Sequence, residues 1–208
     1  MAQYFQIHPT HPQKRLIKQA VEIVCAGGVI VYPTDSSYAL GCHIGDKQAM
    51  ERIYSLRQLD HRHNFTLVCR DLSEVALYAN VDNASYRLLK AHTPGPYTFI
   101  LPATREVPRR LQNAKRKTIG LRVPANAVAQ ALLAELREPL MSATLILPGE
   151  EIPLSDPVEI RARLEHQVDL IIDGGNCGLE PTTVVELDQG QLHITRVGKG
   201  GMPPFVGH

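Results

Sequence analysis

Thr118 and Arg122 stand four residues apart in the segment Lys115-Arg116-Lys117-Thr118-Ile119-Gly120-Leu121-Arg122-Val123-Pro124. Alternation from position 118 onward marks a strand, and residues four apart on a strand project to the same face. A hydroxyl and a guanidinium would then point together at an oxyanion, which the guanidinium can meet through two parallel N–H bonds. Arg122 interrupts an otherwise apolar strand, so its burial demands an anionic partner. Seven basic residues and one acid, Glu106, fall between positions 105 and 122, while the whole 208-residue chain carries a net charge of only +1. Charge gathered this way repels itself, and its usual counterpart is a nucleotide, a polyphosphate or an RNA backbone. The competing reading makes residues 105 to 117 a solvated basic helix or loop, and Thr118 an ordinary β-branched strand residue.

Further hydroxyls leave apolar strands at Thr34-Asp35-Ser36-Ser37, Ser142-Ala143-Thr144 and Thr182-Thr183. Taken singly these are ordinary strand ends, where Ser and Thr satisfy local backbone groups. Together with the basic segment they predict a concave, hydroxyl-lined anion site. Asp35 reads either as a turn former beside Pro33 or as an acid that helps hold a magnesium-bound nucleotide. No phosphate-binding glycine loop, dinucleotide fingerprint or G-x-S-x-G elbow occurs, so any catalysis would rest on positioning and charge stabilisation. The four cysteines lack a Cys-x-x-Cys pair and read as free thiols. His61 and His63 flank Arg62 without an evident third ligand, so no metal site is expected.

These residues need elements to position them. Periodicity predicts a helix over 13–26 ended by Gly27-Gly28, then a strand Val29–Tyr32 stopped by Pro33. Residues 34–42 read as a polar loop closing on small residues. Further helices are expected over 47–56, 71–79, 83–91, 127–136 and 156–165, with strands over 65–69, 98–102, 118–123, 139–144 and 168–173. A final hairpin pairs 182–187 with 192–196 around Asp188-Gln189-Gly190-Gln191. The order is not a strict βαβ alternation, so the expected fold class is α/β, a mixed sheet packed by helices in a single domain over 1–208. No stretch approaches the ~18 apolar residues of a membrane span, and the N-terminal residues lack a secretory pattern, so a cytoplasmic protein is expected.

The blocks VIVYPTDSSYALGC (29–42), TPGPYTFILPA (93–103), TIGLRVPAN (118–126), MSATLILPG (141–149) and PTTVVELDQGQLHITRVGKG (181–200) carry a resemblance. In order and spacing they resemble the YrdC-like family. The resemblance implies an open, twisted α/β fold with a basic cavity. It also implies an activity: joining L-threonine, bicarbonate and ATP, with Mg²⁺, into threonylcarbamoyl-AMP and pyrophosphate for transfer-RNA modification. By position, the resemblance assigns the amino acid to Thr34, Arg122 and Thr182, and the nucleotide to Arg57, Thr118, Ser142, Thr144 and Arg196. Family members are also described as double-stranded RNA binders; tRNA or rRNA contact would fall on Arg109, Arg110, Lys115, Arg116 and Lys117.

Departures from the synthase pattern point to the YciO branch. The family's Lys-x-Arg reads Arg57-Gln58-Leu59, followed by Asp60, and its loop asparagine aligns with His63 beside Asn64. The Ser-x-Asn motif reads Ser142-Ala143-Thr144, and a threonine-contacting histidine is replaced by Val68. Three readings follow: a synthase-like enzyme, an RNA-binding protein without synthase activity, or a hydrolase of a related adenylate or carbamate.

Overall fold

Alternating side chains organise the molecule, because each strand sends successive residues to opposite faces of one sheet. The computed structural model describes residues 1–58, 65–188 and 191–202. Leu59, Asp60, His61, His63 and Asn64 lie outside the described residues, as do the hairpin-turn residues Gln189 and Gly190.

The strands are β1 (Gln3–Gln6), β2 (Ile30–Tyr32), β3 (Ala39–His43), β4 (Thr66–Val68), β5 (Tyr97–Pro102), β6 (Thr118–Arg122), β7 (Leu140–Thr144), β8 (Leu170–Asp173), β9 (Thr183–Asp188) and β10 (Gln191–Arg196). All ten join one open sheet in the order β1-β8-β2-β3-β7-β4-β6-β5-β9-β10. Pairing is mixed: β4 and β6 run parallel, whereas β7–β4 and β6–β5 are antiparallel. The described helices are α1 (Lys14–Cys25), α2 (Lys47–Arg57), α3 (Leu72–Tyr78), α4 (Asn83–His92), α5 (Ala127–Leu136) and α6 (Pro157–Leu164), with a 3-10 turn at Arg109–Leu111. This is the expected α/β class, with the strand and helix positions set within a few residues of the sequence reading.

Short polar side chains start most of these helices. Asp46, Asp71, Asp82, Asn126 and Asp156 each accept a hydrogen bond from a first-turn backbone N–H, worth about 1 kcal/mol apiece. Helix α1 lacks a side-chain cap and ends at Gly27, whose φ of +86° favours glycine.

Each sheet face has its own core. On one face, Leu40, Leu67, Phe99, Leu121 and Met141 pack with residues of α2, α3, α4 and α6. On the other, α1 and α5 cover Ile30, Tyr32, Ala39, Val68, Leu140, Leu170 and Ile172. Those two helices do not cover the whole face. Beyond them, the same face continues as Ser142, Thr66, Thr118, Arg122, Thr98 and Thr182, all lining a cavity.

Two expectations need correction. Residues 39–42 are a central strand, pairing with β2 on one side and β7 on the other. Gly41 interrupts the strand signature because it lies beneath the Tyr32 ring: a Cβ there would stand 2.9 Å from a ring carbon. Strand β1, which the sequence did not reveal, pairs with β8 at the sheet edge and carries only four residues.

Candidate functional site

The cavity of about 210 Å³ sits on the sheet face that α1 and α5 leave open. Register explains why hydroxyls collect there. Ser142 stands opposite Thr66, and Thr66 opposite Gly120, so one row of side chains crosses β7, β4 and β6. Gly120 keeps that row low, since an added Cβ would lie 3.1 Å from Thr66 Oγ1. Among the described residues, the hydroxyls of Thr66, Thr118 and Thr144 make no protein hydrogen bond, and all three line the cavity. Among the described residues, none that lines the cavity is acidic.

Arg122 is the buried cation of this site, 8% exposed. Its Nη2 donates to Thr34 Oγ1 at 3.2 Å, to Ser36 Oγ at 2.9 Å and to Asp35 Oδ1. The loop 34–37 is wound around Thr34, whose hydroxyl accepts from the Ser36 and Ser37 amides and donates to the Ser37 carbonyl. Asp35 uses its second oxygen to accept from the Ala125 amide at 3.0 Å, and Lys199 Nζ holds the Asp35 carbonyl at 2.6 Å. Arg122 Nε, by contrast, is fully buried with no hydrogen-bond partner. An orphaned buried donor costs about 1–3 kcal/mol, and more when charged, so this N–H is suited to an acceptor brought by a ligand.

Two further arginines flank the cavity. Arg57 is tied by Nε to the Ile146 carbonyl at 2.9 Å, leaving its other nitrogens uncommitted. Arg196 donates from Nε and Nη2 to the carbonyl and hydroxyl of Thr182 at 3.0 and 3.2 Å, and Thr182 Oγ1 contacts Thr98 Oγ1 at 2.8 Å. Burial lowers the pKa of both arginines, and the charge of Arg122 lowers that of Arg196 further. Among the described residues, three gathered guanidiniums with one carboxylate behind them leave a net positive cavity. An anionic ligand would relieve their mutual repulsion.

Of the residues expected from sequence, Arg57, Thr118, Arg122, Ser142, Thr144, Thr182 and Arg196 meet around this cavity. Thr34 lies behind Arg122 rather than on the cavity wall. Asp35 has both carboxylate oxygens engaged, and no group of three or more His, Cys, Asp or Glu able to hold a metal occurs among the described residues. Arg109, Arg110, Lys115, Arg116 and Lys117 are all exposed and outside the cavity. Arg110 bonds the Gly45 carbonyl, and Arg116 pairs with Glu186. Sequence reasoning missed Thr66 and Thr98; the signal was present in the two-residue alternation of their strands.

Known proteins agree with this architecture. A family model, Sua5_yciO_yrdC, described as Telomere recombination, matches residues 22–198. The chain is 62% identical to YciO of Escherichia coli strain K12 over 206 residues, 99% of this chain and 100% of the relative. The crystal structure of E. coli YciO superposes with a TM-score of 0.95, covering 99% of this chain and 100% of the other. A threonylcarbamoyl-AMP synthase of Chromobacterium violaceum is 30% identical over 187 residues, 88% of this chain and 95% of the synthase. The crystal structure of P. abyssi Sua5 complexed with L-threonine shares the fold at a TM-score of 0.86 and 22% identity, over 94% of this chain and 57% of that one. Motif order, sheet topology and these matches together show that the chain belongs to the Sua5/YciO/YrdC family.

Proposed function

We propose that this protein binds an amino acid and ATP in the arginine-flanked cavity. It joins L-threonine and bicarbonate to the adenylate as threonylcarbamoyl-AMP, with release of pyrophosphate. The observation that carries this reading is the buried, unpartnered Nε of Arg122 at a cavity whose described lining residues include no acid. The 30% identical threonylcarbamoyl-AMP synthase supports the choice of reaction, and the threonine complex of P. abyssi Sua5 supports the amino acid.

The chemistry balances with these reactants. The threonine amine adds to bicarbonate, losing water to give a carbamate. A carbamate oxygen then attacks the α-phosphorus of ATP, and the bond to the departing pyrophosphate breaks. The protein contributes position and charge: Arg122, held from behind by Thr34, with Thr182 at the amino acid, and Arg57, Thr118, Ser142, Thr144 and Arg196 at the nucleotide. Stabilising charge that develops in the transition state needs no protein nucleophile, and the sequence offers no marked nucleophile–base pair. Val68 lines the cavity where the synthase pattern has a histidine, and Thr144 stands where it has an asparagine. Each charged hydrogen bond lost is worth about 1.5–3 kcal/mol, so turnover is expected to be slow.

Pyrophosphate release that depends on both threonine and bicarbonate tests this reading. Its absence at high concentrations of folded protein rejects it. A second reading, RNA contact without synthase activity, is favoured by the exposure of Arg109, Arg110, Lys115, Arg116 and Lys117 outside the cavity. RNA affinity should then fall steeply with salt, and neutralising Arg109 and Lys115 should weaken it. Binding indifferent to both changes removes the RNA reading.

A further inference from the structure

The guanidinium of Arg122 has an unfinished edge. In an arginine the Nε–H and one Nη2–H lie side by side on one edge of the plane, and a carboxylate can take both. Asp35 takes one: its Oδ1 accepts from Nη2, while among the described residues Nε is buried without a partner. Turning the Asp35 carboxylate until its second oxygen met Nε would remove the cost of that orphaned donor. Two contacts oppose the turn. Oδ2 is committed to the Ala125 amide at 3.0 Å, and the Asp35 main-chain carbonyl accepts from Lys199 Nζ at 2.6 Å.

A lysine on a loose tail could not restrain anything, but Lys199 is mounted on anchored backbone. Residues 198–201 follow β10 and lie across the starts of β9 and β5. The Gly198 amide donates to the Thr183 hydroxyl, which donates in turn to the Gly201 carbonyl, both at 3.0 Å. The Lys199 amide donates to the Pro181 carbonyl at 2.9 Å, and the Tyr97 hydroxyl to the Gly200 carbonyl. Glycines flank Lys199 because the strap lies so close: a Cβ on Gly198 would meet the Pro181 carbonyl, and one on Gly200 the Tyr97 ring. The loop 34–37 is confined by Gly178 as well, where an added Cβ would stand 2.5 Å from the Ser36 carbonyl and 3.5 Å from Lys199 Nζ.

We propose that Lys199 is a positioning residue: by holding the Asp35 carbonyl it limits Asp35 to one N–H of Arg122 and keeps Nε free for the carboxylate of the amino acid. This rests on the amino-acid reading of the cavity given above, and it places control of the site on a residue outside the cavity lining. Asp35 is then both the counter-ion of Arg122 and a built-in competitor of the ligand. Without Lys199 its carboxylate closes on both nitrogens, and the amino acid has to displace it.

Titration calorimetry with L-threonine and, separately, with ATP tests this in the unaltered protein, Lys199→Met, Lys199→Arg, Asp35→Asn and the double variant Lys199→Met with Asp35→Asn. Each is first shown to be folded by circular dichroism. Lys199→Met should weaken threonine binding about fivefold and leave ATP binding unchanged, and Lys199→Arg should restore most of the loss. The amide of Asp35→Asn has one acceptor oxygen and cannot take both nitrogens, so in that background Lys199→Met should have no further effect. Threonine affinity unchanged in Lys199→Met overturns the proposal. So does an equal or larger loss for ATP, which is what removal of a surface charge alone would give. The Nε–H resonance of Arg122, assigned by its absence in Arg122→Lys, reports without any ligand. It should move downfield in Lys199→Met as the carboxylate takes it, and an unmoved resonance overturns the proposal. Failure of the unaltered protein to bind threonine overturns the amino-acid reading, and the resonance then decides the role of Lys199.

Discussion

One sheet face is built in two ways. Under α1 and α5 it presents Leu170, Ile172, Ile30 and Leu140, packed into a closed core. Past those helices the same face presents Ser142, Thr144, Thr66, Thr118, Arg122, Thr98 and Thr182 around a cavity. The change occurs within single strands: on β7 Leu140 is core and Ser142 cavity, and on β4 Val68 joins the core at the cavity's edge while Thr66 belongs to the cavity. Strand geometry is therefore common to both halves, and the helix layer decides which half becomes a site. Where helices cover the sheet, burial demands apolar side chains; where they stop, hydroxyls and guanidiniums stay in reach of a ligand.

The two halves should respond oppositely to substitution. Arg122→Met makes the largest change, because it leaves the buried Asp35 carboxylate without its cation. Losing one partner of a buried pair costs about 3–5 kcal/mol, visible as a lowered urea midpoint, and the double variant with Asp35→Asn should recover part of it. Leu132→Ala, in α5 and 1% exposed, should cost about 2–5 kcal/mol yet leave ligand affinity unchanged while the protein stays folded. A parallel loss of affinity would mean that the covered half shapes the site directly.

Tyr32 stands at the border between the halves, and burial pushes its pKa from 10.0 up to about 12. The folded state therefore keeps a proton that the unfolded chain releases. The associated stability is fully present below pH 10 and is lost as pH rises toward about 12, at about 1.4 kcal/mol per pH unit for this one group. Urea midpoints between pH 9 and 11 should fall less steeply in Tyr32→Phe than in the unaltered protein; identical slopes would contradict the buried, protonated phenol. The smallest stability effect is expected at Thr118→Val, a swap of similar shape on the cavity wall. It should stay within about 1 kcal/mol of the parent while weakening anion binding severalfold. Loss of fold without loss of binding would make Thr118 a plain strand residue.

Local pattern carried much of this architecture. The alternation Thr118-Ile119-Gly120-Leu121-Arg122 disclosed which side chains share the cavity face, and Asp46, Asn126 and Asp156 announced their helices. Strand β3 was hidden because Gly41 is small for a reason lying on another strand, the ring of Tyr32. Pairings between distant residues were equally illegible: Arg122 with Asp35 across 87 positions, and Tyr32 with Ser142 across 110. Each depends on a sheet order that no local rule specifies. Arg122 could be recognised as needing an anion; that the protein itself supplies Asp35 at Nη2 while Nε stays unpartnered required the fold.

The central claim is that the open half of the face binds an amino acid and a nucleotide together. Titration calorimetry with ATP, in the presence and absence of L-threonine, tests it most directly. The account predicts that both bind and that each tightens the other by the same factor, as linkage requires. Binding of neither ligand to the folded protein would contradict it.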